Sequence, residues 1–264
     1  MPAPISEIPA ADVRALKGVF CDIDDTLTHE GRLVPEAFLA LQRLQDAGLR
    51  VVPITGRPGG WVDHFARMWP VDGVVGENGG LWFFHRGGRL HRRFLQDEAT
   101  RGANKARLVG LGESILAEVP GTALASDQPY RELDLAIDFC EDVPALGDSE
   151  IDRIVACFER AGAVCKISSI HVNGWFGRFD KLEGCRGILK ELWDEDLDEE
   201  RARYAFFGDS ANDEPMFGFF DASVGVANVA RFLPRMEQHP RWITRAEGGH
   251  GFAEAIDLFL ELRA

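Results

Sequence analysis

Two hydrophobic rhythms run through this chain. Residues 18–24 (GVFCDID) are a short apolar run closing on carboxylates, as expected of a buried parallel strand whose C-terminal end carries polar groups. From Pro35 the spacing changes. Phe38, Leu41 and Leu44, with Ala37 and Ala40, recur at three- and four-residue intervals, Pro35 suits a first turn and Gly48 closes the end, so a helix is predicted. Residues 50–55 (RVVPIT) then give a second strand ending in polar residues, completing a β-α-β unit with the usual right-handed crossover. Residues 73–76 predict a third short strand. Residues 81–84 and 90–94 flank Arg86-Gly87-Gly88-Arg89, which signals a hairpin.

Beyond residue 97 the texture is different. A long helical stretch (97–119) precedes a run that alternates like a half-buried strand (133–139, LDLAIDF). A helix over 148–161 follows, with Ile151, Ile154, Val155 and Phe158 on one face, and then strands at 164–168 and 170–175. Antiparallel pairs with helices predict a separate α+β lobe. The α/β texture returns with a helix over 181–193, an acidic run at 194–200 read as a solvated loop and helix cap, and a strand over 204–209 (YAFFGD). Short strands near 223–226 and 242–244 and a helix over 252–262 end the chain. The fold class is therefore α/β: a Rossmann-like core with a parallel sheet, formed by residues 1–86 and 176–264, and an inserted α+β lobe at 87–175.

Composition narrows the function. Of 264 residues, 29 are Lys or Arg and 43 Asp or Glu, a formal charge of −14, and 45% are apolar. A surface this negative repels phosphate backbones and anionic lipid, so neither nucleic acid nor membrane is an expected partner. A small anionic substrate stays open, because a bound divalent cation reverses the field locally. The N-terminus lacks the basic start and apolar run of a secretion signal, and the five cysteines (Cys21, Cys140, Cys157, Cys165, Cys185) are scattered and never spaced C-x-x-C. A cytoplasmic protein with reduced cysteines, a monomer or homodimer, is expected.

Strands of this kind end in acidic clusters: Asp22 and Asp24 after the first, Asp209 and Asp213 after the one near the C-terminus. In an open parallel α/β sheet the ligand site lies beyond the carboxyl ends of the strands, so these four converge despite their separation in sequence. Converging carboxylates repel one another and call for a cation; an all-oxygen set suits Mg2+. Alone, Asp24-Asp25-Thr26 would more readily read as a helix cap or turn.

The motifs in order carry a resemblance. Asp22-Ile23-Asp24-Asp25-Thr26-Leu27-Thr28 resembles the first motif of the haloacid dehalogenase (HAD) superfamily of phosphohydrolases, Ile54-Thr55-Gly56-Arg57 the second, Asp180-Lys181 the third, and Gly208-Asp209-Ser210-Ala211-Asn212-Asp213 the fourth. Asp25 stands where many members have glycine. The place and size of the inserted lobe, with Glu77-Asn78-Gly79-Gly80, resemble the branch with a C2B cap (subclass IIB). That branch includes Cof-like, sucrose-phosphate, trehalose-phosphate and mannosylphosphoglycerate phosphatases and a type of phosphomannomutase.

The resemblance implies a Mg2+-dependent phosphomonoester hydrolase acting on a small phosphorylated metabolite, with a sugar phosphate foremost. It assigns Asp22 as the nucleophile that forms an aspartyl-phosphate and Asp24 as general acid and base. Thr55 and Gly56 would contact the phosphoryl group, and Lys181 would offset its charge. It places Mg2+ on Asp22, the Asp24 backbone carbonyl and Asp209, with Asp213 directly or through water, while Asn212 and Ser210 orient that shell and Asn212 contacts substrate. Residues two apart in an extended chain project the same way, so Asp22 and Asp24 can address one phosphate.

The cap would supply the leaving-group pocket, and two stretches of it, 126–132 and 169–175, carry polar and aromatic groups suited to a polyol. Two alternatives stay open. A phosphomutase would return the phosphoryl group to another hydroxyl and release isomerised sugar phosphate instead of free phosphate. A binding or regulatory module would keep the fold without turnover.

Overall fold

The computed structural model describes residues 1–168 and 170–264. Ser169, the first residue of the polar stretch 169–175, lies outside the described residues. Among the described residues the strands form a nine-stranded sheet, a four-stranded sheet and a small hairpin of Thr28–His29 with Arg32–Leu33.

The large sheet runs in the order Ala3–Pro4, Trp242–Ile243, Ala222–Gly225, Tyr204–Gly208, Gly18–Asp22, Arg50–Ile54, Val74–Gly76, Leu81–Arg86, Arg89–Phe94. Its first seven strands are parallel and the last two antiparallel. The central strands are apolar on both faces because helices cover both. Val19, Cys21, Val51, Ala205 and Phe207 pack toward Leu41, Leu44, Ile256 and Phe259. Phe20, Val52, Ile54 and Phe206 pack toward Ile188, Leu189 and Phe217. Each fully buried large apolar side chain contributes roughly 1.5–3 kcal/mol. The strand-order reversal falls at Gly18–Asp22, between Tyr204–Gly208 and Arg50–Ile54, which opens a crevice at their carboxyl ends.

One crossover helix, Gly59–Met68, had no counterpart in the sequence patterning. It opens behind Pro58 on two glycines, poor helix formers, yet Val62, Phe65 and Ala66 recur at helical spacing and are buried. Tertiary packing overrides local propensity there. The hairpin signalled by Arg86-Gly87-Gly88-Arg89 is formed, with Arg86 opposite Arg89 and Leu81 opposite Phe94. Its second strand stays in the large sheet, so the smaller sheet's lobe begins after Phe94 and not at residue 87.

That lobe, the cap, carries the four-stranded antiparallel sheet in the order Val164–Ile167, His171–Trp175, Asp134–Asp138, Ala123–Leu124. Helices Glu98–Glu118 and Asp148–Arg160 supply Leu108, Ile115, Ile154 and Phe158 to a core with Leu135, Ile137 and Val172. Strand alternation puts Asp134, Asp138, His171 and Asn173 on the other face, which looks toward the core domain.

Two buried groups join the domains. Arg131, held by Asp127 and Asp134 at 3.0–3.2 Å, donates to the Gly56 carbonyl at 3.0 Å. Glu77 is fully buried in the turn after Val74–Gly76, and its carboxylate accepts the backbone N–H groups of Gly59, Glu132, Leu133 and Asp134. Burial pushes the Glu77 carboxyl up to about 8, and those backbone donors oppose the rise.

The acidic run is less solvated than its composition suggests. Asp196 caps the short helix Leu197–Glu200, as expected. Glu195 instead accepts from Lys17 at 2.8 Å, Arg50 at 2.7 Å and the Tyr204 hydroxyl at 3.0 Å. The bond from Arg50, against the cost of partial burial, lowers its carboxyl to about 2. A depressed folded-state pKa means stability present above the ordinary glutamate range and lost as pH falls toward 2. Glu195→Gln should therefore cost about 1–2 kcal/mol near neutral pH and flatten the acid limb of the stability curve. Urea titrations between pH 7 and pH 3 check this; parallel curves for the two proteins would refute it.

Candidate active site

Three neighbouring parallel strands deliver the site. Gly18–Asp22 ends on Asp22, Arg50–Ile54 leads into Thr55, and Tyr204–Gly208 leads into Asp209. Registers that pair Phe207 with Cys21 and Asp22 with Ile54 set these side chains at one level of the crevice.

Asp22 is buried and bound on both oxygens: Oδ1 accepts the Ile23 N–H at 2.8 Å and Oδ2 lies 2.9 Å from Lys181 Nζ. Lys181 opens the helix Lys181–Trp193, whose N-cap Asp180 accepts the Glu183 N–H. Gly79 seats that helix start. It has φ +102°, and a Cβ there would stand 1.8 Å from the Asp180 carbonyl oxygen, so only glycine lets the 77–80 turn pack so closely. Lys181 Nζ also lies 2.7 Å from Asp213 Oδ1. Lys190, on the same helix, is exposed and paired with Asp194, away from this cluster.

Carboxylate oxygens of Asp22, Asp209 and Asp213 lie within 4.8 Å of one another, and all three residues are buried. Three carboxylates against one ammonium leave a formal charge of −2, the charge a divalent cation would match, and the donors are hard oxygens. Burial, then Asp213 and then Asp22, pushes the Asp209 carboxyl well above its ordinary value. Burial likewise raises Asp22, to about 7, although Lys181 opposes it. For Lys181 burial opposes the charge, but Asp213 and Asp22 outweigh it and hold the amine protonated. The cluster is thus short of positive charge, and a cation bound among these oxygens would relieve it.

Asp213 lends its second oxygen to the Asp209 N–H at 3.1 Å within a capping box formed with Ser210. Thr26 donates to Asp209 Oδ1 at 3.2 Å, and Asn228 Nδ2 lies 3.4 Å from Asp209 Oδ2 and 2.9 Å from the Asp25 carbonyl oxygen. Asp25 itself sits at φ +58°, a left-handed conformation that glycine takes freely and aspartate tolerates, which accounts for a position open to either.

The Asp24 carboxylate stands apart from the three-carboxylate cluster. It takes a forked pair of bonds from Arg57, Nε at 3.1 Å and an Nη at 3.0 Å, while Thr55 Oγ1 lies 3.5 Å away. Thr55 in turn accepts the Arg57 N–H at 2.9 Å. Gly56 and Asn212 line the same cavity, Asn212 held by a hydrogen bond from Ser210.

That cavity measures about 560 Å³, is bounded below by Asp22, Asp24, Lys181 and Asp209, and is roofed by His171 and Asn173 of the cap. Asn173 donates to Asp134 at 3.1 Å, and His171 Nε2 lies 2.9 Å from Glu141. Burial lowers the His171 pKa even though Glu141 pulls the other way.

Sequence reasoning passed over several participants. Arg57 lies inside the second motif with no role of its own, Asn228 sits in no motif, and Arg131 belongs to the polar cap stretch 126–132, where nothing in the pattern points to its bond with Gly56. Asn78 lines the cavity at φ +55°, and its buried Nδ2 has no hydrogen-bond partner among the described residues. The Glu77-Asn78-Gly79-Gly80 turn was the signal that could have found it.

Residues 19–105 match the family model of the haloacid dehalogenase-like hydrolases. A phosphoglycolate phosphatase of Pyrobaculum neutrophilum is 29% identical over 252 residues, spanning 92% of this chain and 96% of its own. One from Methanothermobacter thermautotrophicus is 26% identical, spanning 93% and 99%. Among solved structures, a Thermoplasma acidophilum protein aligns with a TM-score of 0.72 at 20% identity, over 94% of this chain and 99% of that one. The sucrose-phosphatase of Synechocystis aligns with a TM-score of 0.65 at 18% identity, over 93% and 98%. At such identities the two structures show a shared fold.

Proposed function

We propose that this chain, a haloacid dehalogenase-like hydrolase, hydrolyses small phosphate monoesters with Mg2+ and an aspartyl-phosphate on Asp22. The observation that carries the reading is the single lysine bridging Asp22 and Asp213 beside Asp209, at the floor of a cavity shared by core and cap. In the first step an Asp22 carboxylate oxygen attacks phosphorus, the P–O ester bond breaks, and the leaving alkoxide takes the proton of the Asp24 carboxyl. In the second, Asp24 takes a proton from water, the resulting hydroxide attacks phosphorus, and the acyl-phosphate bond breaks to free Asp22 and inorganic phosphate.

Arg57 fixes the orientation of Asp24, whose carboxylate borders the same cavity as Asp22. Lys181 keeps its proton throughout and sets positive charge against Asp22 and the phosphoryl oxygens, where negative charge gathers in the transition state. Thr55 and the Gly56 backbone lie beside Asp24, placed to receive a phosphoryl oxygen, and Asn212 borders the same space. Asp22, Asp209 and the Asp24 carbonyl would hold Mg2+, with Asp213 supporting through water. When bound, the ion supplies Lewis-acid polarisation of the phosphate and screens it from the attacking carboxylate. The cap excludes bulk water and offers Asn173 and His171 to the leaving group.

Sugar phosphates, from the polar cap face, and phosphoglycolate, from the names of the relatives, head the substrate panel. Phosphate release is expected from part of this panel, to vanish with EDTA and to return with added Mg2+. Turnover at full rate in EDTA would overturn the site as drawn, and conversion of a sugar phosphate to its isomer without phosphate release would favour a mutase.

A further inference from the structure

Six basic side chains border the active-site cavity of a chain whose net charge is −14. Three are engaged: Arg57 with Asp24, Arg131 with Asp127 and Asp134, Lys181 with Asp22 and Asp213. Lys166, Arg231 and Arg235 make no salt bridge within 4.0 Å among the described residues, although carboxylates outnumber cations 43 to 29 in the chain. Arg231 lies over the Phe232 ring at 4.9 Å, and its charge is felt by Asp25 beside the catalytic loop. Unpaired cations gathered around one opening of an acidic protein need a reason beyond solubility.

Their placement is specific. Arg231 ends the 3-10 segment Ala227–Arg231, three residues after Asn228, and in such a helix side chains three apart eclipse. Asn228 bonds the Asp25 carbonyl and lies against Asp209, so Arg231 is set on the face of its segment that looks to the catalytic loops. Arg235 closes the next turn, Leu233–Arg235. From the other domain, Lys166 is registered directly opposite Asn173, so both project from the cap face that roofs the cavity. Lys181 and Thr55 already serve the scissile phosphate, and Arg57 and Arg131 are taken up by carboxylates, which leaves these three for something else.

Resting on the phosphomonoesterase reading above, we propose that Lys166, Arg231 and Arg235 form a subsite for a second anionic group of the substrate, a carboxylate or a second phosphate. Guanidinium forks match either group with paired hydrogen bonds, whereas the hydroxyls of a neutral sugar need no such concentration of charge. The favoured substrates are therefore phosphorylated acids or bisphosphates over neutral sugar phosphates.

The test measures binding by titration calorimetry in Mg2+ on an Asp22→Asn background, so that no turnover is required. The ligands are 2-phosphoglycolate, propane-1,3-diol bisphosphate and, as the one-anion reference, ethyl phosphate. The two-anion ligands should bind at least about tenfold tighter than the reference, equivalent to about 1.4 kcal/mol. The preference should fall toward unity when Lys166→Gln, Arg231→Gln and Arg235→Gln are combined, with unchanged melting showing an intact fold. Whichever two-anion ligand binds tighter identifies carboxylate or phosphate as the second group. Equal binding of all three ligands, or a preference that survives the triple substitution, overturns the subsite. Phosphate release by the unsubstituted enzyme from the same compounds separates the two claims. A preference in binding without any release refutes hydrolysis and keeps the subsite; release without a preference refutes the subsite alone.

Discussion

Asp22→Asn should lower phosphate release by about four orders of magnitude while leaving the protein folded and no less stable. The amide keeps the shape of the carboxylate and an oxygen for the Ile23 N–H at 2.8 Å, but loses the charge that attacks phosphorus. Stability should hold because Asp22 is one of three carboxylates crowded around one lysine, and burial has already raised its pKa to about 7. Removing a charge that the folded state disfavours relieves Asp209 and Asp213. Phosphate release and a thermal melt on the same preparation decide it. Activity within tenfold of the parent would mean that another group attacks phosphorus.

Lys181→Met is expected to do the opposite to stability. The substitution removes the cation that bridges Asp22 at 2.9 Å and Asp213 at 2.7 Å, and leaves three buried carboxylates with no paired cation among the described residues. Losing one partner of a buried ion pair costs about 3–5 kcal/mol, and losing the charge opposite the phosphoryl oxygens should cost about 10²–10³-fold in rate. Added Mg2+ should recover more of the melting temperature in Lys181→Met than it adds to the parent protein, since the ion then meets a site of formal charge −3 instead of −2. An unchanged melting temperature in metal-free buffer would show that the lysine does not neutralise this cluster.

The parts of this molecule that were legible in sequence are those with short-range signatures. The strand ending in Asp22 announces itself because a strand buried on both faces is apolar throughout, and the polar residues that follow mark its carboxyl end. Lys181 is found through its order among the motifs, and Asp180 caps the helix behind it as the pattern requires. What escaped depends on long-range contact. Helix Gly59–Met68 starts on glycines that local propensity rejects, and only burial of Val62 and Phe65 reveals it. A lobe bounded at residue 87 cuts through the hairpin turn, whereas the pairing of Arg89–Phe94 with Leu81–Arg86 ties that strand to the large sheet. Glu195 looked like one more solvated acid until Lys17 and Arg50, far away in sequence, closed on it. Asn228 serves Asp209 from a segment with no motif at all.

The order of the central strands also governs when the protein can exist. Tyr204–Gly208 inserts beside Gly18–Asp22, so the floor of the site is assembled from the first and last thirds of the chain. Asp22 leaves a ribosome roughly ten to forty seconds before Asp213, at about 5–20 residues per second. During that interval the 18–22 strand has one bare edge, apolar on both faces, and waits for its partner. The cap, by contrast, is contiguous in sequence and closes its own four-stranded sheet once Trp175 is out. Synthesis thus delivers a folded roof before it delivers a floor. The edge left open at Asp22 meanwhile makes the half-made chain the form most exposed to aggregation.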